Sequence, residues 1–140
     1  LTSARNQFKG TVSAIHAGPV NAEVEIKAGQ DTLVAIITHE SVTQLGLKTG
    51  AEVHALVKAS WVILAPENGG MRYSTRNRLA GKVARLVKGM VNSEVILALD
   101  GGSEMSVVVT NESVANLGLA EGVRSAALFK ASSVILGVPA

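Results

Sequence analysis

Asn21-Ala22-Glu23-Val24-Glu25-Ile26-Lys27 alternates without a break. Ala22, Val24 and Ile26 fall on one side of an extended chain, and Glu23, Glu25 and Lys27 fall on the other. A period of two marks a half-buried strand, because successive Cβ atoms point to opposite faces of a sheet. The flanks extend the reading. Phe8 to His16 is a looser strand with Val, Ile and Thr, Gly18-Pro19 makes a turn, and Thr32 to Ile37 is a more apolar third strand. Val53 to Val57 and Ser60 to Leu64 supply the fourth and fifth. Between the third and fourth lies Thr38-His39-Glu40-Ser41-Val42-Thr43-Gln44-Leu45-Gly46, a helix of about two turns. Thr38 caps its start, Glu40 suits the helix dipole, and Gly46 stands where a left-handed residue ends a helix. Five short antiparallel strands with a helix between the third and fourth is the layout of a small OB-like barrel, so the fold class is mainly β.

The same text is then written again. Ser3-Ala4-Arg5-Asn6 returns as Ser74-Thr75-Arg76-Asn77, a shift of 71 residues that also carries Gly10 to Gly81, Val20-Asn21 to Val91-Asn92, and Glu23-Val24 to Glu94-Val95. An insertion around Gly101-Gly102 raises the shift to 72, after which Thr38-His39-Glu40-Ser41-Val42 matches Thr110-Asn111-Glu112-Ser113-Val114 and Lys58-Ala59-Ser60 matches Lys130-Ala131-Ser132. Colinear matches over most of each half establish a duplication. The expected organisation is two tandem barrels, residues 1–66 and 73–140, joined by a 67–72 linker that contains Asn68-Gly69-Gly70. A lone domain of about 65 residues buries only about 60% of its unfolded surface. Association of copies or chains is therefore expected.

Composition narrows the function classes. Of 140 residues, 47% are hydrophobic and 17% charged, which is a globular composition. No apolar run is long enough to cross a bilayer, and no export signal is visible, so a cytoplasmic protein without membrane contact is expected. The absence of cysteine removes disulfides, thiolate metal sites and cysteine nucleophiles. A net charge of +2 is a weak field for nucleic-acid binding. The chain opens on Leu1 and not on methionine, as expected of a processed product or a part of something longer.

The repeat also tests candidate chemistry. His16 falls on Val87, His39 on Asn111 and His54 on Ala126, so no histidine belongs to a function that both halves share. Glu23 and Glu94 do recur, one per copy on the polar face of a strand, and read as a solvated face or an interface salt bridge. No catalytic residue is expected. Donors recur instead: Ser-x-Arg-Asn opens each copy, Thr-x-x-Ser opens each short helix, and Lys-Ala-Ser opens each final strand. Guanidinium, ammonium and hydroxyl groups suit a tetrahedral dianion, and the donor set contains no recurrent carboxylate to repel one. Two cations about 4 Å from a dianion gain on the order of 16 kcal/mol gross at an effective dielectric of about 20. Desolvation removes much of this, but micromolar binding needs only about 8 kcal/mol net.

Ser3-Ala4-Arg5-Asn6-Gln7, Gly18-Pro19-Val20-Asn21-Ala22, Leu45-Gly46-Leu47 and Lys58-Ala59-Ser60 together resemble the molybdenum–pterin-binding (Mop, or molbindin) family, over both copies and nearly the whole chain. The resemblance is greatest to its two-domain (di-Mop) form. It implies intracellular storage and homeostasis of molybdenum, with molybdate or tungstate as the bound ligand and no organic cofactor. The anion would be held by hydrogen bonds and charge between domains, without direct protein–metal ligation. A homotrimer would then give a six-domain ring. Carried onto this chain, the oxyanion site would use Ser3, Arg5, Thr38, Ser41, Lys58, Ala59 and Ser60, and in the second copy Ser74, Arg76, Thr110, Ser113, Lys130, Ala131 and Ser132. A second class of site is expected near Val20-Asn21 and Val91-Asn92. Ala4 becomes Thr75, Gln7 becomes Arg78 and Lys9 becomes Ala80, so the halves are not identical.

Two other readings remain open at this level. The same chemistry would serve the molybdate-sensing C-terminal domain of a transcription regulator or of a transporter ATPase. An OB-type nucleic-acid-binding module would need an aromatic platform. Here Trp61 falls on Ser133 and Tyr73 has no counterpart, so no aromatic surface repeats.

Overall fold

A computed structural model describes residues 2–140. The first half contains β1 (Asn6–Ala17), β2 (Asn21–Ala28), β3 (Asp31–Thr38), α1 (His39–Leu45), β4 (Glu52–Val57) and β5 (Ile63–Ala65). The second contains β6 (Asn77–Lys88), β7 (Asn92–Leu99), β8 (Glu104–Thr110), α2 (Asn111–Asn116), β9 (Arg124–Phe129) and β10 (Ile135–Gly137). The protein is mainly β, with two five-stranded antiparallel sheets, each curled into a half-barrel. Alternation along β2 is borne out: Ala22, Val24 and Ile26 are buried, and their polar neighbours are not. The helix is as expected. Thr38 accepts a hydrogen bond from the Ser41 N–H, and Gly46 closes the last turn in the left-handed region.

The fifth strand differs from the sequence reading. Ser60 does not begin a strand, because Ala59–Trp61 and Ala131–Ser133 each form a single 3-10 turn and the strand starts only at Ile63 or Ile135. That turn redirects the chain into the other half. The first sheet runs β10-β4-β1-β2-β3 and the second β5-β9-β6-β7-β8, so each half completes its partner's sheet. Leu136 lies opposite Ala55, and Leu64 lies opposite Ala127. Leu64 and Leu136 are buried in one continuous apolar core that also contains Phe8, Val53, Val107 and Phe129. The exchange answers the marginal size of a single copy, since apolar surface that one half would leave wet is covered by the other.

Gly10 and Gly81 explain themselves by proximity. A Cβ at Gly10 would stand 2.5 Å from the Lys27 carbonyl oxygen, and one at Gly81 would stand 2.4 Å from that of Ala98. The inserted residue near Gly101 serves the junction of the halves. Gln30 N–H donates to the Gly101 carbonyl, and buried Asp31 accepts from the Ser103 N–H at 3.1 Å.

Candidate functional site

The recurrent donors meet across the halves. The 3-10 turn after Lys58 packs on β8, and the turn after Lys130 packs on β3. One hollow of about 250 Å³ is lined by Ser74, Thr75, Arg76, Lys130, Ala131 and Ser132 of the second half and Ile36 of the first. Another, of about 370 Å³, brings Ser60 of the first half to Val108, Thr110, Ser113 and Asn92 of the second. The repeat relates the two, because Ser132 and Ile36 correspond to Ser60 and Val108. The first hollow joins the Ser-x-Arg and Lys-Ala-Ser segments of the second half beside β3 of the first, and the other sets Ser60 against the Thr-x-x-Ser segment of the second half. Of the expected site residues, Ser74, Arg76, Lys130, Ala131 and Ser132 line the smaller hollow and Ser60, Thr110 and Ser113 the larger, while Ser3, Arg5, Thr38, Ser41, Lys58 and Ala59 line neither of these two. Ala59 and Ala131 are buried, and they anchor the exposed lysine and serine on either side.

Local structure fixes the hydroxyls. Thr38 Oγ1 donates to Ser41 Oγ at 2.8 Å, and Thr110 Oγ1 donates to Ser113 Oγ at 2.9 Å. Lys58 lies over the Trp61 ring, 5.6 Å from its centroid, whereas Lys130 has Ser133 at the matching place. Val20 and Val91 are exposed beside the helix starts, their carbonyls accepting from the His39 and Asn111 N–H groups. Asn92 lines the larger hollow, while Asn21 is exposed at the head of β2.

The arginines have partners that the donor inventory omitted. Arg76 grips Glu23 of the opposite half at two points, with Nη2 donating to Oε1 at 2.7 Å, and Arg5 meets Glu94 across the junction at one point, Nη1 donating to Oε2. The interface-salt-bridge reading of the two glutamates holds. The expectation that an anion would meet no recurrent carboxylate does not hold, because strand pairing carries Glu23 and Glu94 to the opposite half's arginine. The Arg76 guanidinium holds the Glu23 carboxyl below the usual glutamate range against partial burial, and Glu23 in turn raises Arg76. Ser106 adds a second donor to Glu94 at 3.1 Å, and Val34 stands at its counterpart position.

Sequence reasoning also missed Asn6 and Asn77, although both recur in the Ser-x-Arg-Asn segment. Each is buried and bonds with both ends of its amide to a strand of the other half, Ser106 for Asn6 and Val34 for Asn77. Among the described residues, ligand-type atoms of His16, Glu23 and Glu25 lie within 4.8 Å of one another. Glu23 is engaged by Arg76, and Val87 and Ile96 replace His16 and Glu25 in the other half, so this group belongs to no shared function.

The TOBE domain model matches residues 2–64 and again residues 73–136. The chain belongs to the TOBE-domain family. Within it, the chain is 48% identical over 139 residues to the molybdenum-pterin-binding protein MopA of Rhodobacter capsulatus, covering 99% of this chain and 52% of that protein. It is 46% identical over 138 residues to the molybdenum transport protein ModE of Azotobacter vinelandii, covering 98% of this chain and 51% of that one. The chain thus spans about half the length of these curated relatives. A crystal structure of the cytoplasmic molybdate-binding protein ModG with molybdate bound matches it with a TM-score of 0.94 and 54% identity, over 99% of each chain. The Mop resemblance of the sequence is borne out. No helix of this TOBE chain, among the described residues, is long and apolar enough to cross a membrane.

Proposed function

We propose that this tandem TOBE chain binds molybdate or tungstate at the two cross-half hollows and serves intracellular molybdenum storage and homeostasis. The observation that carries the reading is the hollow shared by Ser74, Arg76, Lys130 and Ser132, a guanidinium, an ammonium and two hydroxyls within one small space. A tetrahedral oxyanion offers four acceptor oxygens, which these donors meet without any protein atom touching the metal centre. Similarity to ModG, a molybdate-binding protein, supports the ligand class.

Finer parts of the reading rest on the same resemblance. The site residues of this reading are two cross-half sets, Ser3, Arg5, Lys58, Ala59 and Ser60 with Thr110 and Ser113, and Ser74, Arg76, Lys130, Ala131 and Ser132 with Thr38 and Ser41, and Val20-Asn21 with Val91-Asn92 form a second class. The chain works in the cytoplasm, with residues 1–66 and 73–140 as its two units, and three chains close a six-domain ring. A second reading is favoured by the ModE relatives, which are about twice as long as this chain: the same hollows would serve as the sensing part of a regulator.

Calorimetric titration with molybdate, tungstate, sulfate and phosphate tests the proposal. Binding of the first two at micromolar or lower concentration, with weak sulfate binding, is the expected result. Equal affinity for all four would reduce the hollows to a generic anion patch.

A further inference from the structure

Each arginine of the proposed sites already has a carboxylate partner from the opposite half. Arg76 and Lys130 line one hollow, yet the Arg76 fork already faces both oxygens of Glu23 from the other half. Arg5 is engaged at a single point, by Oε2 of Glu94. The three charges of each site therefore sum to a single positive one, and an entering dianion must share or take over the guanidinium. The glutamates are partly enclosed, with side chains 24% and 22% exposed, so solvent does not fully screen them.

We propose that Glu23 and Glu94 are built-in counter-ions that hold the arginines while the hollows are empty and compete with the oxyanion for them. This rests on the functional reading above and adds its regulation. The competition is unequal. When Arg5 turns toward a ligand, Glu94 keeps the Ser106 hydroxyl, a donor at 3.1 Å. When Arg76 turns, Glu23 keeps no such donor, because Val34 replaces the serine. His16, opposite Glu23 across the β1–β2 ladder, directs its Nε2 to Glu25 at 3.3 Å. An acceptor left without a donor in a partly enclosed place is costly. The Arg5 site therefore loads before the Arg76 site.

The test is calorimetric titration of the full chain with molybdate, comparing wild type with Glu23→Gln and Glu94→Gln. Each substitution removes the competing charge and retains the side-chain shape, and each is expected to tighten its own site by on the order of tenfold, about one charge-assisted hydrogen bond. Unchanged or weakened binding in both variants, with wild type binding normally, overturns the counter-ion role and leaves the oxyanion reading intact. No molybdate binding by wild type overturns both. The loading order is read separately, without removing either glutamate. Arg76→Ala is expected to leave the tighter class of site and Arg5→Ala the weaker. The exchange Val34→Ser with Ser106→Val is expected to reverse that order, and an order indifferent to the exchange overturns the role given to Ser106.

Discussion

Asn6 treats the edge of the opposite half as if it were its own neighbouring strand: its Oδ1 accepts from the Ser106 N–H at 2.7 Å, and its Nδ2 donates to the Ser106 carbonyl at 2.7 Å. Asn77 makes the same pair of bonds with Val34 at 2.8 Å each. Removing either side chain leaves a part-buried backbone N–H and C=O without partners. Asn6→Ala and Asn77→Ala are each expected to lower unfolding stability by roughly 2–4 kcal/mol, measured by denaturant titration. A loss below about 0.5 kcal/mol in both would show that the clasp is dispensable.

The exchanged strands tie the cores together. Leu64 is a residue of the first half buried against the second half's β9, and Leu136 mirrors it against β4. Truncating a buried leucine costs about 2–5 kcal/mol. Leu64→Ala is expected to lower amide protection in β9 as well as overall stability, followed by hydrogen exchange. Loss confined to β1–β4 would contradict the exchanged arrangement.

Several features of this architecture were legible from residues alone. Alternation from Asn21 to Lys27 placed β2, and the Thr38–Gly46 signals placed α1, because both are local patterns with one geometric solution. The exchange of β5 and β10 was not legible. Ile63-Leu64-Ala65 pairs equally well with either half by pattern, and the choice is made by the 3-10 turn at Ala59–Trp61, whose Lys-Ala-Ser-Trp text carries no breaker. The donor types of the site were readable because they recur. Their grouping was not, since it depends on which half's β3 or β8 each lysine turn meets. Glu23 and Glu94 were visible as a recurring pair, but only the assembled sheets show that an arginine waits opposite.

Acid should loosen the same junctions. Arg76 holds Glu23 below the ordinary glutamate range, and Arg124 holds Glu67 and Asp100 below theirs. A carboxyl depressed in the folded state binds protons more readily once unfolded, so its contribution is present above the unfolded-state value and is lost as pH falls through the folded one. Stability is thus expected to be flat around neutrality and to decline below the usual carboxylate range, followed by thermal melting across pH. Arg124→Gln removes the partner of Glu67 and Asp100 and should make that decline shallower. An unchanged slope would deny the Arg124 pairs any part in it.

Arg5→Ala combined with Arg76→Ala removes the one guanidinium fork of each proposed site. With Lys58 and Lys130 left in place, molybdate affinity is expected to fall by at least tenfold, since a bidentate charge-assisted contact is lost at each site. The melting temperature reports separately that the chain remains folded. Full affinity in a folded double variant would remove the Ser-x-Arg segments from the site.

Trp61 is the single tryptophan of the chain, and its ring lies 5.6 Å from the Lys58 ammonium. A lysine stacked on an indole face must leave it, at least in part, to meet an oxyanion. Intrinsic fluorescence is therefore expected to change saturably on molybdate titration, with Lys58→Met abolishing the change. An exposed cation–π contact is worth about 0.5–1 kcal/mol, so Trp61→Ser, which copies Ser133 of the other half, should tighten the Lys58 site by roughly two- to fivefold. Weaker binding in that variant would mean that the indole orients Lys58 toward the oxyanion and does not restrain it.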